Sequence, residues 1–215
     1  MSWELRHNTA KWTEPKWSAD VTLSNAKCQP SVRLHDAASQ TRLSIGIMPH
    51  EQHGEPPSVG LTYGDAYVRQ RDLIAIFPEL TPWRFGYQLD LRMLQDSPKG
   101  TLAIEFWLSI QTSLLDTYPQ LELRLQGEAF NALSDNCWTS RSSTIGLLVH
   151  PLDEQDCQIK SLSDELRLNV FGRFMEKGVI RRMRFRLVVA PEKESANFWQ
   201  ERFEEFSGSP LPLTT

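Results

Sequence analysis

WRFGYQLDLRMLQDSPKGTLAIEFWLSIQTSLLDTYPQLELRLQG, from Trp83 to Gly127, is the stretch whose reading decides the fold. Leu102, Ile104, Phe106, Leu108 and Ile110 alternate with Thr101, Ala103, Glu105, Trp107 and Ser109. Phe85, Tyr87, Leu89, Leu91 and Met93 alternate in the same way with Gly86, Gln88, Asp90, Arg92 and Leu94. Leu121, Leu123 and Leu125 do so with Glu122, Arg124 and Gln126. A period of two sustained over this length belongs to strands that bury one face. Asp96 to Gly100 and Asp116 to Pro119 are turn chemistry. Three antiparallel strands in a meander are expected.

Outward from that stretch the pattern persists. Val32 and Leu34, then Leu43, Ile45 and Ile47, alternate with polar or small neighbours and are joined by a hairpin loop over 36–40. Pro49 to Ser58 reads as a loop, followed by strands near Val59 to Tyr63 and Leu73 to Phe77. Glu128 to Ser143 is polar with little periodicity, so a loop with a helical turn near Ala129 to Leu133 is expected there. Ile145 to Val149 resumes strand character. Leu166 to Phe174 and Met183 to Val189 then read as a second hairpin, turning at Met175 to Gly178. From Glu192 to Phe206, Ala196, Phe198, Trp199, Phe203 and Phe206 recur at helical spacing among acidic residues.

The expected fold is therefore mainly β: an antiparallel β-sandwich of about ten strands with one C-terminal α-helix. Residues 1–20, holding Trp3, Trp12 and Trp17, read as a tryptophan-rich strap pinned across a sheet. Residues 21–190 form the sandwich, and 191–215 the amphipathic helix and tail. Three ordered matches suggest two similar halves, 21–127 and 128–190, arising by internal duplication. They pair Leu43 to His50 with Ser143 to His150, Ile74 to Phe77 with Leu168 to Phe171, and Tyr87 to Leu91 with Met183 to Leu187.

Composition narrows the function classes. The chain has 215 residues, 40% hydrophobic and 23% charged, with a net charge of −4. That balance gives no electrostatic pull toward nucleic acid or acidic membranes. The first residues contain no apolar signal-like run, and no run nears the roughly 20 residues of a membrane helix. Cys28, Cys137 and Cys157 have no metal-binding spacing. A soluble cytoplasmic protein without a cofactor is expected. Phosphate-binding loops, dinucleotide fingerprints, serine-nucleophile elbows and EF-hands are all missing from the sequence.

Three clusters could carry chemistry. His50, Glu51, His53 and Glu55 offer metal-ligand types, but the flanking prolines oppose the helix of a zinc-protease motif, and a solvated loop accounts for them. Gln88, Asp90, Arg92, Glu105, Trp107 and Glu122 fall on the polar face of the three strands, where a concave sheet would present carboxylates and an aromatic to a sugar. Arg182, Arg184 and Arg186 form a basic ridge, with Arg167 and Arg173 on same-facing positions of the hairpin partner. Phosphate, nucleic acid, an acidic partner or the glutamates of the C-terminal helix could neutralise it, and no RNA-binding aromatic signature accompanies it. The expected role is a non-catalytic binding or protein-interaction module, its ligand a protein, a carbohydrate or another small molecule. A carbohydrate-active enzyme using Glu105 and Glu122 is the alternative, and a structural subunit of a homo-oligomer is the third.

Overall fold

The computed structural model describes residues 2–23, 30–38, 40–49, 64–79, 84–94 and 100–210. They form two eight-stranded antiparallel sheets and one helix. In spatial order the first sheet contains β1 (Glu4–Arg6), β2 (Thr9–Thr13), β3 (Trp17–Thr22), β4 (Ser31–Asp36), β5 (Thr41–Pro49), β10 (Gln120–Gln126), β15 (Glu165–Phe171) and β14 (Cys157–Ser161). The second contains β11 (Phe130–Ser134), β12 (Cys137–Ser140), β13 (Ile145–Val149), β16 (Ile180–Val189), β9 (Leu102–Gln111), β8 (Gly86–Leu94), β7 (Asp72–Phe77) and β6 (Asp65–Arg69).

The alternating apolar residues of both sheets meet in one core. Phe106 and Phe185, directly paired on β9 and β16, stack at 4.5 Å between ring centroids, and Phe77 stacks on Tyr87 at 4.4 Å. Leu121, Leu123 and Leu125 oppose them from the first sheet, fully buried. Two indoles tie the sheets together by hydrogen bonds. Trp3 donates Nε1–H to the Arg71 carbonyl at 3.0 Å, and Trp17 donates to the Gly100 carbonyl at 2.8 Å. The tryptophan-rich start is thus three strands of the first sheet, rather than a strap lying over a finished one.

The sandwich and the helix match expectation, but the connections differ. β8 and β9 form the expected hairpin, whereas β10 leaves for the other sheet and pairs with β5 and β15. β15 and β16 likewise sit in different sheets, so the second expected hairpin is a crossover. Alternation reports which face a residue takes, not which sheet its strand joins, and turn residues serve both connections. The two crossovers run side by side, with Thr117 and Met175 exchanging backbone hydrogen bonds of 3.2 and 2.8 Å. The stretch expected as a loop with a helical turn is the hairpin β11–β12, with a register shift between Ala132 and Ser134.

The three matched segment pairs do not obey one symmetry. β5 against β13 changes sheet in one direction, β7 against β15 in the other, and β8 against β16 stays in the second sheet. The His50 to Glu55 loop, the strand near Val59 to Tyr63, Trp83 and Cys28 lie outside the described residues.

Helix α1 (Ala196–Ser207) starts at Ser195, whose side chain accepts the Phe198 N–H at 3.2 Å. It docks on the outer face of the second sheet. Phe198, Trp199 and Phe206 pack there on Ala103, Cys137, Leu148, Val188 and Ala190, a second, smaller core. Gly146 makes room for Trp199: a methyl group there would meet the indole at 2.5 Å. Beneath the far end of the helix lies His150, 3% exposed, edge-on to the Phe206 ring at 5.3 Å. Its Nδ1 accepts the Leu152 N–H at 3.3 Å and caps a 3-10 helix, Pro151–Asp156. Burial, reinforced by the Arg184 guanidinium, holds the imidazole below its ordinary pKa, against smaller raising effects of the Ser207 backbone and Glu105.

Two outcomes follow for this dock. Gly146→Ala should destabilise the protein by about 1–3 kcal/mol in urea titrations, as overpacking does. Because the His150 pKa is depressed on folding, its contribution to stability is complete above its unfolded value near 6.5 and is lost as pH falls toward the folded value. Melting curves between pH 7.5 and 5 should therefore flatten in His150→Asn, which retains a capping acceptor but does not titrate in that range.

Candidate functional site

The outer face of the second sheet carries side chains in lateral rows fixed by strand register. One row runs Arg186, Glu105, Arg92, Asp72, Arg69 across β16, β9, β8, β7 and β6, alternating in sign at every step. The next runs Arg184, Trp107, Asp90, Ile74, Tyr67, and the third Arg182, Ser109, Gln88, Ile76, Asp65. Opposite charges on directly paired positions stabilise a sheet, so the first row is consistent with simple cross-strand pairing.

The pairs are close and directional. Arg92 donates in a bidentate fork to Asp72, Nε to Oδ1 at 2.9 Å and Nη2 to Oδ2 at 2.8 Å. That bond is the main reason its guanidinium pKa lies above the ordinary value. Arg186, 5% exposed, donates to Glu105 Oε1 from Nη2 at 2.6 Å and from Nε at 3.2 Å. The other Glu105 oxygen accepts the Trp107 indole N–H at 3.3 Å. Asp90 stands apart: it accepts from Gln88 Nε2 at 2.7 Å and has no arginine salt bridge among the described residues. Burial is the leading influence on its carboxyl and raises its pKa, with Asp72 adding to the rise, while Gln88, Arg69 and Arg92 oppose it.

The α1 helix and the 3-10 helix cover the side of this face nearest β13. Glu205 reaches Arg186 at 3.4 Å, and the guanidinium lies 4.7 Å from the Phe206 ring centre. Arg184 is held by Asp153 at 3.6 Å and sits 5.3 Å over the Trp107 ring. Beyond this cover opens a cleft of about 470 Å³ whose lining includes Gln88, Asp90, Arg92, Trp107 and Arg182. Five of the nine sequence-derived candidates therefore converge on one cavity. Glu105, Arg184 and Arg186 support its edge from beneath the helices.

Glu122 does not belong to it. It lies on the outer face of the first sheet, paired with Arg124 of the same strand. Glu105 and Glu122 point away from the core on opposite sides of two sheets that stack about 10 Å apart, too far to act on one glycosidic bond. The basic ridge is also divided. Arg167 pairs with Glu165 in the first sheet, while Arg173 and Arg181 share Asp156 at 3.1 and 3.7 Å. Among the described residues the helix neutralises Arg186 alone of the ridge, and Arg182 has no ion-pair partner.

Asp72 and Arg69, which complete the cleft, were not among the sequence candidates. They flank a two-residue hairpin turn, Gln70–Arg71, in which Gln70 takes a positive φ of 56° without the usual glycine or asparagine signal.

No protein-family model matches the sequence, and no curated protein matches it. Among solved structures the chain is similar to one described as "Putative kojibiose phosphorylase from human microbiome", with a TM-score of 0.52 and 10% sequence identity. The match covers 95% of this chain and 37% of that one, so the chain spans little more than a third of that protein's length. At this identity the likeness is one of fold.

A carboxylate whose pKa is raised by burial on folding opposes folding at neutral pH. Asp90→Asn, which keeps an acceptor for Gln88, should raise the melting temperature at pH 7. The gain should vanish as pH falls below about 4, where an unfolded aspartate also binds its proton. Paired melting curves over that range check it.

Proposed function

We propose that the protein is a non-catalytic binding module whose ligand is a neutral saccharide, held in the cleft on the outer face of the second sheet. What carries this is the company Trp107 keeps. An indole beside a coupled amide and carboxylate, Gln88 and Asp90, joins a surface for a sugar ring to donors and acceptors for its hydroxyls. Ser109 adds a hydroxyl to the same lining. The lining holds Arg69, Arg92 and Arg182 against Asp72, Glu79 and Asp90, three cations to three carboxylates, which favours a polar uncharged ligand over a polyanion. Likeness of fold to a protein described as a kojibiose phosphorylase adds weaker support.

A glycosidase-type mechanism would need two free carboxyl groups across the bond. Asp72 is forked by Arg92, Glu105 by Arg186, and Glu79 accepts from Ser113, so Asp90, with its raised pKa, is the carboxyl best placed to give a proton. That observation keeps the catalytic alternative specific: it rests on Asp90 as the acid, with Glu79, bonded to Ser113, as the remaining carboxylate of the lining.

Titration calorimetry with a panel of neutral disaccharides should find at least one that binds. Trp107→Ala and Asp90→Ala should each weaken that binding tenfold or more, equal to at least about 1.4 kcal/mol. Turnover of the bound sugar that disappears in Asp90→Asn would assign catalysis instead. Failure of every saccharide, with a response to polyanions, would remove the sugar-binding proposal.

A further inference from the structure

A second cavity, about 640 Å³, opens on the opposite flank of the sandwich, where the two sheets end side by side. Among the described residues one sheet ends there in β14, paired with β15 alone, and the other in β11, paired with β12 alone. The sheets are stitched near one end of this seam by Ser161, whose hydroxyl donates to the Phe130 carbonyl at 2.6 Å. Farther along they part. The floor is apolar: Ala132 and Trp138 from one sheet, Cys157 and Ile159 from the other, with buried Val149 behind them. Burial, with Asp153 and Asp156 adding to it, pushes the Cys157 thiol up to about 12, so at neutral pH the floor carries no thiolate.

The rim differs from that of the first cleft. Leu152, 67% exposed, overhangs the opening. The charged residues of the lining are Asp135 and Glu154, with no lysine, arginine or histidine beside them. Glu154 accepts from Asn136 Nδ2 at 2.8 Å, and neither carboxylate has a cationic partner among the described residues. Among the described residues β14 is the outermost strand of its sheet; its Cys157 N–H donates to the Glu154 carbonyl, and the rest of its outer edge, over 158–161, runs unpaired along the same opening. An edge strand, an apolar trough and an acidic rim are complementary to one kind of occupant.

We propose that this seam is a docking site for an extended peptide segment of a partner protein, which pairs with the free edge of β14, inserts an apolar side chain between the sheets and sets a lysine or arginine against Asp135 and Glu154. The register shift in β11 twists that edge out of regular pairing, which leaves β14 as the strand that accepts the segment. Alternation of apolar and basic residues in the segment would match the period of the strand it joins.

The test uses the full chain, isotopically labelled, and two short synthetic peptides, one alternating lysine with valine and the other glutamate with valine. The lysine peptide should shift backbone amide signals over Cys157–Ser161 and across Ala132, Asn136 and Trp138. The glutamate peptide should leave them in place. Affinity for the lysine peptide should fall at least tenfold in the Asp135→Asn, Glu154→Gln double variant and in Leu152→Asp, both of which alter exposed or rim positions and leave the core intact. Absence of shifts at the seam, equal binding of the two peptides, or undiminished binding by the variants would overturn the proposal. Concentration-dependent shifts at the same amides without any peptide would identify a second copy as the occupant and would overturn it as well.

Discussion

Arg186 carries a charge into a position almost sealed from water, and much of the second sheet's outer face follows from how that charge is held. A buried cation left without a partner costs several kcal/mol, about 3–5 when one member of such a pair is removed. Glu105 supplies the close contacts, Glu205 adds one from the helix, and the Phe206 ring covers what remains. Glu105 also fixes Trp107 through the indole N–H. A single carboxylate therefore sits between the seat of the C-terminal helix and the mouth of the cleft. The rim of the cleft and the helix dock share this glutamate.

Outward from this pair, the face changes from covered to open. Under α1 the sheet offers alanine, valine, leucine and the flat space at Gly146, where a helix can lie close. Across β8 and β7 it offers Arg92 and Asp72, which satisfy one another, and Asp90 and the amide of Gln88, which are coupled to each other in the cleft. The distinction between dock and cleft is thus one of residue size and charge pairing along the same strands. β9 shows both within a few residues: Ala103 beneath the helix, Trp107 at the cleft.

Much of this was legible in the sequence, for identifiable reasons. The strands with long alternation, β8, β9, β10 and β16, announce their buried faces because each inward residue is a large hydrophobe. The aromatic stripe of α1 announces its docking side in the same way. The expected meander held for β8 and β9 but not for β10, because Leu121 to Leu125 would bury equally well in either sheet. Glu122 was accordingly grouped with Glu105 on pattern, and the crossover carried it to the far side. Asp72 stayed hidden because a lone acid at the start of an apolar strand looks like a solvated terminus until its arginine partner is seen across β8. The β11–β12 hairpin was missed because its outward residues are polar and its strands too short to establish a period.

The place of β16 in the sheet bears on how the chain can fold. It lies between β13 and β9, so the second sheet consists of two unconnected parts, β6 to β9 and β11 to β13, until this late strand is inserted. β10 has the corresponding position in the first sheet, joining β5 to strands that follow it by some forty residues. Before β16 arrives, β9 and β13 each expose a long hydrophobic edge of the kind that recruits other chains. Vulnerability to aggregation should thus be concentrated in the interval when nearly all of the polypeptide exists but its central staple does not. Any lesion that delays or deforms residues 180–189 would be felt first as insolubility.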